Sequence, residues 1–146
     1  WPARLGWCYG DLTIALTLAR VGSALKLPQL TTKARQISLH AAQREQHHSK
    51  VVDAGICHGS AGNSLIFHRL YKELGDEELA TAGDFWLEQA LEQYTKEGLK
   101  GFYKYSAISK SYEESTGLLE GYSGIGLCLL ASQNGDMDWI DCLLMS

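Results

Sequence analysis

The sequence has no excess of positive charge: its 13 lysines and arginines are scattered among 17 aspartates and glutamates, for a formal charge of −4. It lacks the electrostatic footprint of a nucleic-acid-binding protein. No apolar run approaches the roughly 18–20 residues a membrane helix needs, so no transmembrane segment is expected. The four cysteines include no compact C-x-x-C pair, no stretch is low in complexity, and strand-like alternation is scarce. A signal peptide is also missing, since Trp1 is followed by neither a charged n-region nor a cleavage motif. The chain is read as a fragment, with an upstream portion absent.

What is present is enough apolar material for a core: 146 residues, 45% of them hydrophobic. A compact chain of this size buries roughly 68–70% of its unfolded surface and needs no disulfides to do so. Helical periodicity recurs along it. Asp11 reads as the N-cap of a helix over Leu12 to Leu25, with Leu12, Ala15, Leu16, Ala19 and Val21 repeating near a 3.6 period. Pro28 opens a second helix running to about Gln46, with Leu30, Ala34, Ile37 and Ala41 on one face. A third spans Ser60 to Leu74 and stops at Gly75. Asp76 caps a fourth, whose inward face carries Leu79, Gly83, Trp86, Leu87, Ala90, Leu91 and Tyr94. Lys96 to Gly121 reads as a long loop holding a short hairpin. A fifth helix runs from about Tyr122 to Ser132, and Trp139 to Leu144 forms a last helical turn.

A repeat underlies this layout. Trp7-Cys8-Tyr9-Gly10, Ile56-Cys57-His58-Gly59 and Leu119-Glu120-Gly121 each precede a helix, and Leu16, Leu65 and Leu127 coincide when the glycines are aligned. Offsets of 49 and 62 residues leave room for a helix, a turn, a second helix and a loop. The fitting architecture is all-α: helical hairpins in a circle, an α/α toroid, with the starts of the inner helices and their loops lining one mouth. Cys8, Cys57 and His58 then project into that mouth. Two thiolates and an imidazole suit tetrahedral Zn²⁺ and leave its fourth position open, as a catalytic zinc requires. Spacing alone fits buried apolar cysteines better; the matched repeat positions and the adjacent His58 favour ligands. Cys128 and Cys142, in apolar runs, read as core. His47-His48 reads as solvated helix end, and His40 and His68 as surface or boundary groups. Glu113-Glu114 reads as exposed loop charge. Tyr103 and Tyr105 fit either a peptide groove or an aromatic strand packed on the helices.

These three strings, in this order and over nearly the whole chain, resemble the C-terminal half of lanthionine synthetase C-like proteins, the lantibiotic cyclases. The resemblance implies the last two to three hairpins of a seven-hairpin toroid over residues 1–146. It implies a zinc enzyme that adds a cysteine thiol of a dehydrated precursor peptide to dehydroalanine or dehydrobutyrine, giving lanthionine or methyllanthionine. By the same resemblance Cys8, Cys57 and His58 fall on the zinc ligands, and Arg4 and Tyr9 on two further active-site positions. The family's histidine and aspartate acid/base residues lie upstream of the region present here. Thr13 stands where the first motif usually has glycine. Implied partners are the precursor peptide and a dehydratase–transporter complex, in a cytoplasmic setting. The alternative on the same fold is a regulatory protein that binds thiols such as glutathione, and a third is a scaffold with a vestigial metal site.

The chemistry agrees with the cyclase reading. A free thiol, with a pKa of about 8.5, is only slightly ionised at neutral pH, and zinc deprotonates it outright. Addition to a dehydro residue creates an enolate that an acid must protonate. Arg4 could stabilise that charge, and reads equally as an exposed salt-bridging arginine; Tyr9 reads as a packing residue. Hairpin surface left open by an absent upstream part predicts a homodimer through that edge.

Overall fold

The computed structural model describes residues 3–44 and 46–143. Its elements in chain order are α1 (Asp11–Ala24), α2 (Pro28–Ala42), a short α3 (Gln46–Ser49), α4 (Ser60–Leu74) and α5 (Glu77–Glu97). A 3₁₀ segment (Gly98–Phe102), β1 (Lys104–Ser106), β2 (Ser111–Glu113), α6 (Tyr122–Asn134) and a final 3₁₀ segment (Asp138–Leu143) follow. Helices α1 and α2 form one antiparallel hairpin and α4 and α5 a second; α6 is a third inner helix without an α-helical partner among the described residues. The inner helices lie in the order α1–α4–α6, with α2 against α5 outside them. β1 and β2 pair antiparallel, Tyr105 opposite Tyr112. No helix among the described residues is long and apolar enough to cross a membrane.

The core follows the 3.6-residue stripes, with instructive departures. In α1, Leu12, Ala15, Leu16, Ala19 and Gly22 are buried, whereas Val21, one residue off that stripe, is 39% exposed. Gly22 takes the inward place because α2 runs close: a Cβ there would lie 2.7 Å from Thr31 Oγ1. In α5 the stripe is Leu79, Ala82, Gly83, Trp86 and Ala90. Leu91 and Tyr94, read as inward-facing, are exposed; Tyr94 stacks on Phe102 where the chain folds back. Inner helix α4 is buried on nearly every side over its first eight residues. Cys128 is core as read, but Cys142 is exposed, on the short last segment.

The helix ends explain two further differences. Asp11 is the first residue of α1 and not its cap; Gly10 takes the cap at φ 132°. A Cβ on Gly10 would sit 2.3 Å from the Arg4 carbonyl oxygen, so only glycine fits. The Asp11 carboxylate instead pairs with Arg44, whose side chain is only 6% exposed and also donates from Nη1 to the Ala3 carbonyl at 2.5 Å. That inward turn of Arg44 accompanies the end of α2 at Ala42, short of the predicted Gln46. Asp76 occupies the cap position of α5 but makes no side-chain cap bond; it accepts a hydrogen bond from Arg35 Nε at 2.7 Å. Arg35 Nη2 donates to the Leu74 carbonyl at 2.7 Å, satisfying an otherwise orphaned acceptor at the end of α4.

The repeat is closed at the third residue after each capping glycine. A Cβ on Gly62 would lie 1.9 Å from the Ile56 carbonyl oxygen, and one on Gly124 1.8 Å from that of Leu118. In the first copy, Thr13 donates its hydroxyl hydrogen bond to the Trp7 carbonyl. Thus each copy uses the carbonyl six residues earlier, pressed against glycine twice and hydrogen-bonded once. Thr13 keeps the helix start by a polar contact where its relatives in the repeat use absence of bulk.

Gly62→Ala is therefore expected to destabilise the protein by about 3 kcal/mol or more, because the obstructing atom is backbone. Gly126→Ala, with nothing within 4 Å of the added carbon, is expected to be neutral or to gain up to about 1 kcal/mol from helix propensity. Urea unfolding of the two variants checks both; equal midpoints would contradict the assignment.

Candidate metal centre

The centre is built by backbone hydrogen bonds between the repeat loops. The Cys57 carbonyl accepts from Trp7 N–H at 2.8 Å and from Cys8 N–H at 3.3 Å, while Cys57 N–H donates to the Leu119 carbonyl at 2.9 Å. Positions 8, 57 and 119 are equivalent in the repeat, so equivalent peptide groups are stitched in series across three loops. This brings together the Cys8 and Cys57 sulfurs and the His58 imidazole. One donor atom from each lies within 4.8 Å of the others. Cys8 is exposed and the other two are half-buried, so the cluster opens to one side.

A second local device sets the far wall. The cap of α4 is Gly59, which offers no side-chain acceptor. The first helical N–H groups turn instead to the preceding loop: Ser60 to Asp53 O at 2.9 Å, Ala61 to Ala54 O at 3.3 Å and Gly62 to Gly55 O at 3.4 Å. The loop is thereby wrapped onto the helix start, and Asp53 is carried beside His58. The Asp53 carboxylate, 4% exposed, accepts from Gly55 N–H at 3.2 Å through Oδ1 and from Tyr105 N–H at 3.0 Å through Oδ2. His58 Nε2 lies 4.0 Å from the same Oδ2. Sequence reading passed over Asp53; its only signal was an acid four residues before Cys57 in a loop without periodicity.

The electrostatics suit a cation. Burial, first, and then the Cys8 hydrogen bond and charge push the Cys57 thiol up to about 12, with the Glu120 and Asp53 carboxylates adding to the rise. Glu120 is itself held by Lys104 at 3.4 Å. Paired thiols among carboxylates resist ionisation alone, and a divalent ion reverses that balance by attracting every one of these groups. Zinc–sulfur and zinc–nitrogen bond lengths put tetrahedral donors about 3.5–3.8 Å apart, so small side-chain adjustments from the present spread suffice. The donor set fits zinc.

Arg4 and Tyr9 flank the first cysteine without joining the cluster: no hydrogen bond or ion pair links either to it among the described residues. Tyr9 is 62% exposed; Arg4, half-buried, lends its carbonyl to the seat of Gly10. A space of about 270 Å³ opens beside Cys8, lined also by Trp7, Thr13, Thr17 and Arg20. Tyr103 and Tyr112 line a larger cavity of about 410 Å³ with Lys96 and Lys100, whereas Tyr105 packs edge-on against Tyr112. Ser64, His68 and Asp84 align as a nucleophile relay would, at 3.3 and 3.0 Å. Their burial is inverted: Ser64 is 4% exposed and the Asp84 side chain 70%, whereas a working triad exposes its nucleophile and buries its carboxylate. His68 is a satisfied boundary group, its ring filling the space left by Gly83. Glu113 lies in β2 and accepts from Ser109 Oγ at 2.5 Å.

Fold and site together define a helical-hairpin protein with a two-thiol, one-imidazole cluster where its repeat loops meet. The family model for lanthionine synthetase C-like protein matches residues 1–145, and the chain belongs to that family. A solved structure named nisin cyclase superposes with a TM-score of 0.71 at 28% identity, over 99% of this chain and 32% of that one. The chain is an arc of the helical toroid of this fold and spans about a third of the length of nisin cyclase. Among curated proteins no match is found.

None of the four cysteines is in a disulfide, but their reactivities should differ. Burial pushes the Cys128 thiol up to about 12, and Cys142 is exposed. In metal-free protein at pH 8, iodoacetamide is expected to label Cys142 quickly and Cys128 only in denaturant. Peptide mass mapping reads the order, and equal rates would contradict the burial described.

Proposed function

We propose that this chain supplies the metal-holding wall of a peptide cyclase that closes thioether rings. The substrate is a precursor peptide carrying dehydroalanine or dehydrobutyrine, and the product is lanthionine or methyllanthionine. One observation carries the reading: Cys8 and Cys57-His58, contributed by successive repeats, converge in a chain of the cyclase family. When bound, zinc would keep the substrate thiol ionised and in place.

Cys8, Cys57 and His58 would hold the metal, and the exposed member, Cys8, also lines the space formed with Trp7, Thr13 and Thr17. In the addition, a bond forms between the peptide's cysteine sulfur and the β-carbon of the dehydro residue. The carbon–carbon double bond opens toward the α-carbon and its carbonyl, and an acid returns a proton to the α-carbon. Arg4 is the cation nearest in sequence to Cys8 that could face the developing enolate, and Tyr9 would present its ring at the open side. Four free cysteines fit a reducing, cytoplasmic compartment.

Cys57→Ala in the full-length protein is expected to abolish both zinc retention, read by metal analysis, and ring formation, read by mass spectrometry on a dehydrated precursor with thiol alkylation. Ring formation at the unsubstituted rate would refute the proposal. In the unsubstituted protein, zinc is expected to shield Cys8 and Cys57, but not Cys142, from alkylation.

A further inference from the structure

We infer that Asp53 is the positioning residue of the metal centre: it receives the Nε2–H of His58 and so commits His58 to bind metal through Nδ1. This rests on the metal reading above and adds to it a residue outside the cluster.

Three observations carry it. The first is burial without a cationic side chain. The Asp53 carboxylate is 4% exposed, and the His58 imidazole is its one ion-pair partner within 4.0 Å among the described residues. A buried carboxylate needs donors for its lone pairs. Two come from the Gly55 and Tyr105 amides, and His58 Nε2 lies 4.0 Å from Oδ2. The second is rigidity. The loop carrying Asp53 is fixed to α4 through the Asp53 carbonyl and to β1 through Tyr105, so the carboxylate is a stationary acceptor. The imidazole can turn about χ2, a broad torsion, and the hydrogen bond we infer requires that turn to shorten the 4.0 Å separation. The third is chemical. Metal-bound histidines almost always donate their second ring N–H to a carboxylate, carbonyl or water, which sets the tautomer and raises the basicity of the bound nitrogen.

The geometry also joins the metal loop to the hairpin. Asp53 Oδ2 accepts from the Tyr105 amide and lies 4.0 Å from the imidazole, and Tyr112 donates its hydroxyl to the neighbouring Val52 carbonyl at 2.9 Å. The β1–β2 hairpin therefore acts as a brace behind His58.

The test uses the purified protein loaded with ¹¹³Cd²⁺ and ¹⁵N-labelled at histidine. Cadmium coupling to His58 Nδ1, with a protonated Nε2, is expected. Coupling to Nε2 overturns this inference and leaves the metal reading standing, whereas failure to bind Zn²⁺, Co²⁺ or Cd²⁺ at all overturns both. Asp53→Asn is expected to weaken Co²⁺ affinity 10–100-fold and to shift the visible Co²⁺ absorption, with the far-UV circular dichroism retained. Asp84→Asn, which removes a carboxylate that pairs with His68 outside the cluster, serves as the structural control. An equal loss of affinity in both variants, or none in Asp53→Asn, overturns the positioning role.

Discussion

The peptide group of Cys57 is the constraint on which the rest of the site depends. Its carbonyl receives the loop before α1 and its N–H reaches the loop before α6, so three loops from distant parts of the chain share one line of backbone hydrogen bonds. Such bonds are directional, and a backbone group shut away from water without its partner is costly. The cysteine sulfurs meet because the peptides beneath them are already registered. The geometry of the Cys8, Cys57 and His58 cluster is thus inherited from the packing of the inner helices.

Close packing at the helix starts makes this registration possible. Gly62 and Gly124 let the preceding loop lie directly on the first turn of α4 and α6, and Thr13 keeps the equivalent turn of α1 by bonding the Trp7 carbonyl. The same economy recurs at the caps, where glycines replace side-chain acceptors and backbone carbonyls of the loop serve instead. At α4 the loop that caps the helix is the loop that carries Asp53. A structural need, satisfying the first N–H groups of a buried helix, has brought an acid against the imidazole.

The charge pattern around the centre follows a similar logic. Asp53 and Glu120 raise the cost of ionising Cys57 in the absence of a cation, and they would stabilise a divalent ion at the same place. Glu120 occupies the repeat position of Tyr9 and His58, so the third copy contributes charge where the first two contribute ring side chains. The copies differ in what they place at the cluster: sulfur from the first and second, imidazole from the second, and beside it a carboxylate from the third.

Much of this was legible in the sequence. The helix stripes, the glycine-led repeat and the Cys8, Cys57 and His58 set follow from periodicity and motif, because local patterns of apolar residues and turn-forming glycines need no distant partner to be read. Exposure of Val21, Leu91 and Tyr94 was not legible, since a residue one step off a stripe is buried only if a neighbouring element covers it. Cys142 sits in an apolar run yet lies at the surface for the same reason. The pairing of Asp11 with Arg44 and of Asp76 with Arg35 was equally hidden, as both acids occupy positions where a local cap is the default. By itself the sequence determined which residues could bind metal and which helices would carry them. Only the tertiary structure decided that Asp53 stands behind His58, because that contact depends on a loop folding back to cap a helix and on a hairpin about fifty residues away closing over it.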